Sequence, residues 1–218
     1  MSVGKSSEQR SHWEEVYSSK FPEQVSWYES YPAASLNLIH ASGLAHDSRI
    51  VDVGGGASTL VDHLLIQGFK SVTVLDIAKA ALERSQCRLR ACAPDVTWIA
   101  SDVTTWRPRV PFDLWHDRAV FHFLTKTAQR RGYIEVLQRG VRPGGSAVIA
   151  TFAPDGPERC SGLPVRRYSP EVLASEMGPG FALQEIQFED HITPAGTVQR
   201  FLYCRFRRFG DVPSDPVQ

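Results

Sequence analysis

Val51-Asp52-Val53-Gly54-Gly55-Gly56-Ala57-Ser58-Thr59-Leu60 runs from an apolar stretch into an acid, then three glycines, then hydroxyl residues that open a helical pattern. Residues 49–53 read as a short buried strand and 58–67 as a helix, so the glycines occupy a strand-to-helix turn. Glycines there adopt dihedrals closed to other residues and let the backbone approach a ligand, while Ser58 or Thr59 can cap the helix. Such a turn carries a ligand only in the right surroundings.

Outward from the turn, residues 71–75, 96–100, 112–115 and 146–151 are short apolar runs rich in Val and Ile. Residues 78–91 and 127–140 carry helical spacing, with Gly68, Gly140 and Gly144-Gly145 as stops. This βαβ series predicts a mostly parallel sheet covered on both faces. After residue 152 come a Pro/Gly-rich loop (153–164), a short helix (170–177) and two longer strand-like runs, 181–188 and 200–206. The turn Pro194-Ala195-Gly196-Thr197 lets those runs pair antiparallel at one end of the sheet. Ahead of the series, residues 12–17 start an amphipathic helix with Ser11 as its cap, Trp27, Tyr28 and Tyr31 form an aromatic cluster, and 35–42 read as a helix stopped by Gly43. One domain is expected over residues 1–209, with an N-terminal helical lid over about 1–45. Residues 210–218 have two prolines and no apolar pattern, and are expected to fray.

The 24 Lys and Arg balance the 24 Asp and Glu, and apolar residues make up 42% of the 218. That argues against a disordered chain and against a general polyanion binder, and no nucleic-acid partner is expected. Cys87, Cys92, Cys160 and Cys204 form no C-x-x-C pair and have no histidine at ligand spacing, so neither a metal site nor a disulfide framework is expected. A reducing, cytoplasmic compartment follows as an expectation. Residues 1–10 are polar, and no apolar run reaches the ~18 residues of a membrane span, so no membrane partner is expected. Oligomeric state has no signature here.

Two further acids bear on the glycine turn. Asp76 ends the second strand-like run, near the interval at which a βαβ nucleotide fold places an acid to accept from ribose hydroxyls. Asp102 follows the third strand in Trp98-Ile99-Ala100-Ser101-Asp102, placed to receive an adenine amino group while Val103 or Ile77 packs on the ring.

In order and spacing this set resembles the class I S-adenosylmethionine-dependent methyltransferases, across nearly the whole chain. The family's glycine-rich motif is matched by Asp52-Val53-Gly54-Gly55-Gly56-Ala57-Ser58, its ribose acid by Asp76 and its adenine-side acid by Asp102. Its fourth-strand motif is matched by Phe112-Asp113-Leu114-Trp115-His116-Asp117, and its turn into strand five by residues 141–150. Ser58 stands where many members have a third glycine. The resemblance implies an α/β, Rossmann-like doubly wound sheet, seven-stranded and mostly parallel with an antiparallel last strand. It also implies S-adenosyl-L-methionine as cofactor, held by Asp52, Gly54, Gly55, Gly56, Ser58, Asp76, Ile77, Asp102 and Val103, with Trp27 alongside. A nicotinamide dehydrogenase shares the glycine turn and the second-strand acid, but the chain lacks a Tyr-x-x-x-Lys pair, and Tyr17-Ser18-Ser19-Lys20 has the wrong spacing.

Residues 115–123, Trp-His-Asp-Arg-Ala-Val-Phe-His-Phe, follow the fourth strand and are expected to border the transfer site. There is no Asn/Asp-Pro-Pro-Tyr/Phe motif, and the Trp-x-Asp-Arg stretch is similar to the equivalent segment of thiopurine and other thiol methyltransferases. His116, Asp117 and Arg118 are therefore the candidate catalytic set, with His116 as a base and Arg118 attracting an anionic acceptor or fixing Asp117. The expected acceptor is a small molecule, a thiol or related soft nucleophile, since a thiolate is already present at a few per cent near neutral pH. The alternative is a protein-lysine methyltransferase, because His12-Trp13-Glu14-Glu15-Val16-Tyr17 also resembles enzymes of that kind. A third reading is a cofactor-binding protein without catalysis. The N-terminal aromatics and the 152–164 loop are expected to cover the site, and Cys160 has no base to support a covalent role.

Overall fold

The computed structural model describes residues 3–209, so the expected frayed tail lies outside the described residues. Strand β1 (Arg49–Val53) pairs in parallel with β2 (Ser71–Asp76) on one side and with β4 (Phe112–Arg118) on the other. Strand β3 (Val96–Ala100) extends the first side, and β5 (Val141–Phe152) extends the second. Strand β9 (Val198–Arg208) runs antiparallel between β5 and the edge strand β8 (Phe181–Ile192), giving the order β3-β2-β1-β4-β5-β9-β8. The seven-stranded sheet with an antiparallel last strand is thus as expected, and its order reverses between β1 and β4.

Strand alternation splits the core into two layers. Ile50, Leu114 and Val148 pack on one face with Leu36, Leu38 and Ile39 of α2 (Ala33–His40) and Leu60, Val61 and Leu64 of α3 (Leu60–Ile66). Val51, Trp115 and Ile149 pack on the other with Tyr133, Val136 and Leu137 of α5 (Thr127–Gly140) and Leu173 and Met177 of α6 (Pro170–Met177). Both faces of the parallel strands are therefore dry, as such sheets require. Helix α6 shows its local causes plainly: Ser169 Oγ accepts from Val172 N at 3.3 Å, Pro170 opens the first turn, and Gly178 ends it at φ 75°.

Several expected bounds shift. Helix α1 spans Val3–Ser19, so Ser11 lies inside it rather than at its cap. Glu14 explains its docking, because its carboxylate accepts from Lys79 N (2.7 Å) and Ala80 N (3.0 Å) at the start of α4 (Lys79–Leu89). Strands β8 and β9 run past their apolar stretches because each is completed by its neighbour, pairing from Phe181↔Arg208 to Ile192↔Val198. Inside the Pro/Gly-rich loop, β6 (Arg159–Cys160) and β7 (Leu163–Pro164) form a small hairpin.

One buried chain of hydrogen bonds ties β4 to α5. Trp115 Nε1 donates to Tyr133 OH at 2.9 Å, and Tyr133 OH donates to Asp117 Oδ2 at 2.6 Å. Tyr133→Phe keeps the packing but strips both neighbours of a partner, at about 1–3 kcal/mol for each buried group. At roughly 2–4 °C per kcal/mol for a domain of this size, thermal unfolding is expected to fall by roughly 4–24 °C. A melting curve within 2 °C of wild type would show that the chain is not stabilising.

Candidate active site

The site grows from the β1–α3 turn. Gly54 sits at φ 70°, and a Cβ there would lie 2.1 Å from Val120 Cγ2. A Cβ on Gly55 would lie 2.2 Å from Asp52 Oδ2, and one on Gly56 would meet Ala81 and Asp76. The glycines are thus demanded by positive φ at one place and by close approach at the next two. Gly56 N and Ala78 N donate to the two oxygens of Asp76 at 3.1 and 2.8 Å, locking the second-strand acid to the glycine turn. Ser58 Oγ accepts from Leu60 N at 3.1 Å within the turn, while the cap position itself is Thr59, whose side chain makes no capping bond.

Above these carboxyl strand ends lies an open cleft. Its floor is Val53, Gly54, Leu75, Asp76 and Ile77, and one wall is Ser101, Asp102 and Val103. Asp102 is shaped by its own turn, its Oδ1 accepting from Thr104 N (2.8 Å) and Thr104 Oγ1 (2.7 Å). The roof is aromatic: Trp13 meets Trp27 edge-on at 5.5 Å and Phe123 at 5.1 Å, and Tyr17 meets Trp27 at 6.3 Å. Leu124 and Cys160 complete that side, and His12 of α1 bonds Ser161 of the small hairpin at 3.2 Å. A second compartment shares Tyr17, Trp27, Gly54 and Arg118 with the first and is lined by Asp52, Gly55, Ser58, Tyr28 and Glu29. Every residue expected at the cofactor site except Gly56 lines one compartment or the other. Gly56 serves the site through its bond to Asp76.

The candidate catalytic set is separated by the structure. Strand β4 continues through Arg118, so residues expected in a loop instead alternate between faces. His116 is 2% exposed, with Nδ1 2.7 Å from Asp52 Oδ1 and Nε2 2.9 Å from Ser35 Oγ. The expectation of a base facing the acceptor is corrected accordingly, since both ring nitrogens are engaged beneath α2. Asp117 points the other way, taking Tyr133 OH and the backbone N–H groups of Val120 (2.9 Å) and Phe121 (3.3 Å). Arg118 alone reaches the cleft, and it fixes Glu29 rather than Asp117. Its Nη2 donates to Glu29 Oε1 at 2.6 Å, Nη1 to Trp27 O at 3.0 Å and Nε to Tyr203 OH at 2.8 Å. His122 has no hydrogen-bond partner on its ring, and burial pushes its pKa down to about 3, so it packs as a neutral ring against Phe123 and Phe152.

Sequence reasoning missed Ser35 and Glu29. Ser35 reads as the polar start of a helix, and Glu29 sits among aromatics with no periodic signal. Only the approach of α2 to β4, and of residues 27–31 to β4 and β8, gives either a partner.

Burial dominates the electrostatics. It raises Asp76 to about 7, with the Asp52 charge adding to it and the N–H groups of Ala78 and Gly56 opposing it. Burial raises Asp117 to about 6 against its three hydrogen bonds, raises the Cys160 thiol to about 11, and moves the Tyr17 hydroxyl further from ionisation. For Arg118, burial works against the charge, but Tyr203 and Glu29 outweigh it.

The central part of the chain has known relatives. Residues 50–145 match the family model described as a methyltransferase domain. The fold is the Rossmann-like methyltransferase fold. Malonyl-[acyl-carrier protein] O-methyltransferase of Paenibacillus sp. (strain JDR-2) is 31% identical over 128 residues, covering 56% of this chain, and the chain spans 45% of that relative's length. A structure reported for the conversion of a disulfide bond into a thioacetal group during echinomycin biosynthesis superimposes with TM-score 0.75 at 22% identity, covering 94% of this chain and 95% of that one. The 1,6-didemethyltoxoflavin-N1-methyltransferase of Burkholderia thailandensis, with bound 1,6-didemethyltoxoflavin and S-adenosylhomocysteine, gives TM-score 0.70 at 19% identity over 95% of this chain and 87% of that one.

The raised acids make a prediction about stability. Asp117, at about 6 in the fold against 3.8 for the free group, binds more protons folded than unfolded between those values. Its contribution to stability is therefore present at low pH and lost as pH rises through about 6. Asp117→Asn removes that titration, so the change in Tm between pH 4 and pH 7 should shift in the stabilising direction relative to wild type. Parallel Tm-against-pH curves for the two proteins would contradict the burial argument.

Proposed function

We propose that the chain is an S-adenosyl-L-methionine-dependent methyltransferase acting on a small molecule. The observation that carries this reading is the cleft over the β1–β4 switch point, where a side-chain-free turn and two acids face an aromatic roof. The residues present fit the cofactor. The Gly54–Gly55 cradle has no room for a Cβ. A carboxylate offers about four acceptor sites, so Asp76 keeps capacity for ribose hydroxyls beyond its two backbone bonds. Asp102 serves the adenine amino group, Ile77 and Val103 the ring faces, and Asp52, Gly54, Gly55, Gly56 and Ser58 the amino-acid end. Trp27 covers both compartments. When bound, this cofactor supplies a methyl group already activated on a sulfonium, so the protein's work is to align the acceptor, exclude water and leave the nucleophile unprotonated.

We assign α1 and residues 21–32 as the lid, held down through Glu14 on α4 and Glu29 on Arg118. Beneath it, the acceptor side offers no base among the described residues. Tyr17 and Cys160 are held protonated, the Arg118 charge is matched by Glu29, and Trp13, Phe123 and Leu124 are apolar. A nucleophile that ionises unaided suits such a wall, which supports a thiol or related soft acceptor over an ammonium that must first lose a proton.

Asp76→Ala is expected to weaken binding of S-adenosylhomocysteine at least tenfold, by loss of charge-assisted hydrogen bonds of ~1.5–3 kcal/mol. Because the ionised form is the acceptor, wild-type affinity should rise as pH climbs through about 7, and the variant should lose that rise. Calorimetry showing equal affinity in both proteins would sink the ribose assignment. The acceptor is tested with methyl-labelled cofactor and a cell extract. Label in the small-molecule fraction supports this reading, and label on protein favours the lysine enzyme instead.

A further inference from the structure

We propose that Ser35 and His116 are positioning residues that hold Asp52 with one oxygen free, and that this oxygen makes the compartment beneath Gly54-Gly55 select a ligand bearing a protonated amine. The inference rests on the cofactor reading above and adds the residues that set its amino-end selectivity. Parallel register places Asp52 directly opposite His116. Asp52 is 2% exposed, its Oδ1 is 2.7 Å from His116 Nδ1, and its Oδ2 is buried with no hydrogen-bond partner. A carboxylate only accepts, so Nδ1 donates to Oδ1, and Nε2 is paired with Ser35 Oγ at 2.9 Å. Flipping the ring would break both bonds, so the serine fixes the imidazole and the imidazole fixes the carboxylate.

A buried carboxylate oxygen without a donor is costly, and the protein keeps this one at the wall of a compartment. Gly55 keeps the approach clear, since any Cβ there would stand 2.2 Å from that oxygen. The only cation lining the compartment among the described residues, Arg118, is spent on Glu29. An ammonium, a compact cation with three donors, fits a lone acceptor oxygen of this kind.

The test compares the affinities of S-adenosylhomocysteine and the same molecule lacking its amino group. Wild type should prefer the amine at least tenfold. Ser35→Ala should reduce that ratio at least threefold and His116→Leu should bring it near one, while His116→Asn, whose amide can donate in place of Nδ1, should keep most of it. Loss of packing alone would weaken both ligands equally and leave the ratio unmoved. If the leucine variant does not fold, the alanine variant, which removes one oxygen, decides. An unchanged ratio there, or a wild type that binds both ligands equally, overturns the positioning role. Failure of wild type to bind either ligand overturns the cofactor reading itself.

Discussion

The parallel pairing of β1 with β4 is the constraint on which the rest of the site depends. These two strands are adjacent in the sheet but far apart in sequence, and the connections on either side leave in opposite directions. Where they part, no helix can cover the strand ends, and a crevice remains. The register across the pair sets Asp52 against His116 and carries Arg118 one step beyond, to the mouth of the cleft. A slip of one residue would move each of these side chains to the other face.

A second set of contacts closes the crevice from outside the core repeat. Glu29 receives Arg118 from β4 and lies 3.2 Å from His191 Nδ1 on β8, while His191 Nε2 bonds Ser26 O at 2.8 Å. Tyr203 of β9 accepts from Arg118 and donates to Glu189 at 2.9 Å. The terminal hairpin therefore anchors the segment that carries Trp27, and the roof of the site depends on strands that come last in the chain. Removing one partner from so buried a network leaves an uncompensated charge, which makes the roof a cooperative unit rather than a loose flap.

Much of this was legible beforehand. The glycine turn, Asp76 and Asp102 announce themselves because βαβ geometry imposes a fixed spacing on a nucleotide-binding turn and its acids. Residues 115–123 were less readable. Taken as a loop after a strand ending at Trp115, they offered three candidate groups to one site, but three more residues of strand sent His116, Asp117 and Arg118 to alternate faces.

By itself the sequence determined the alternation of strands and helices, the glycine turn and the acids beside it, because these follow from local periodicity and from spacing within single βαβ units. Tertiary structure alone decided which polar groups became partners. Ser35, His116 and Asp52 come from three separate elements, while Glu29, Arg118 and Tyr203 come from a connecting segment and two different strands. The physical reason is that a buried polar group is satisfied by whatever element packs over it, and that element is chosen by the whole sheet order, which no local window of sequence contains.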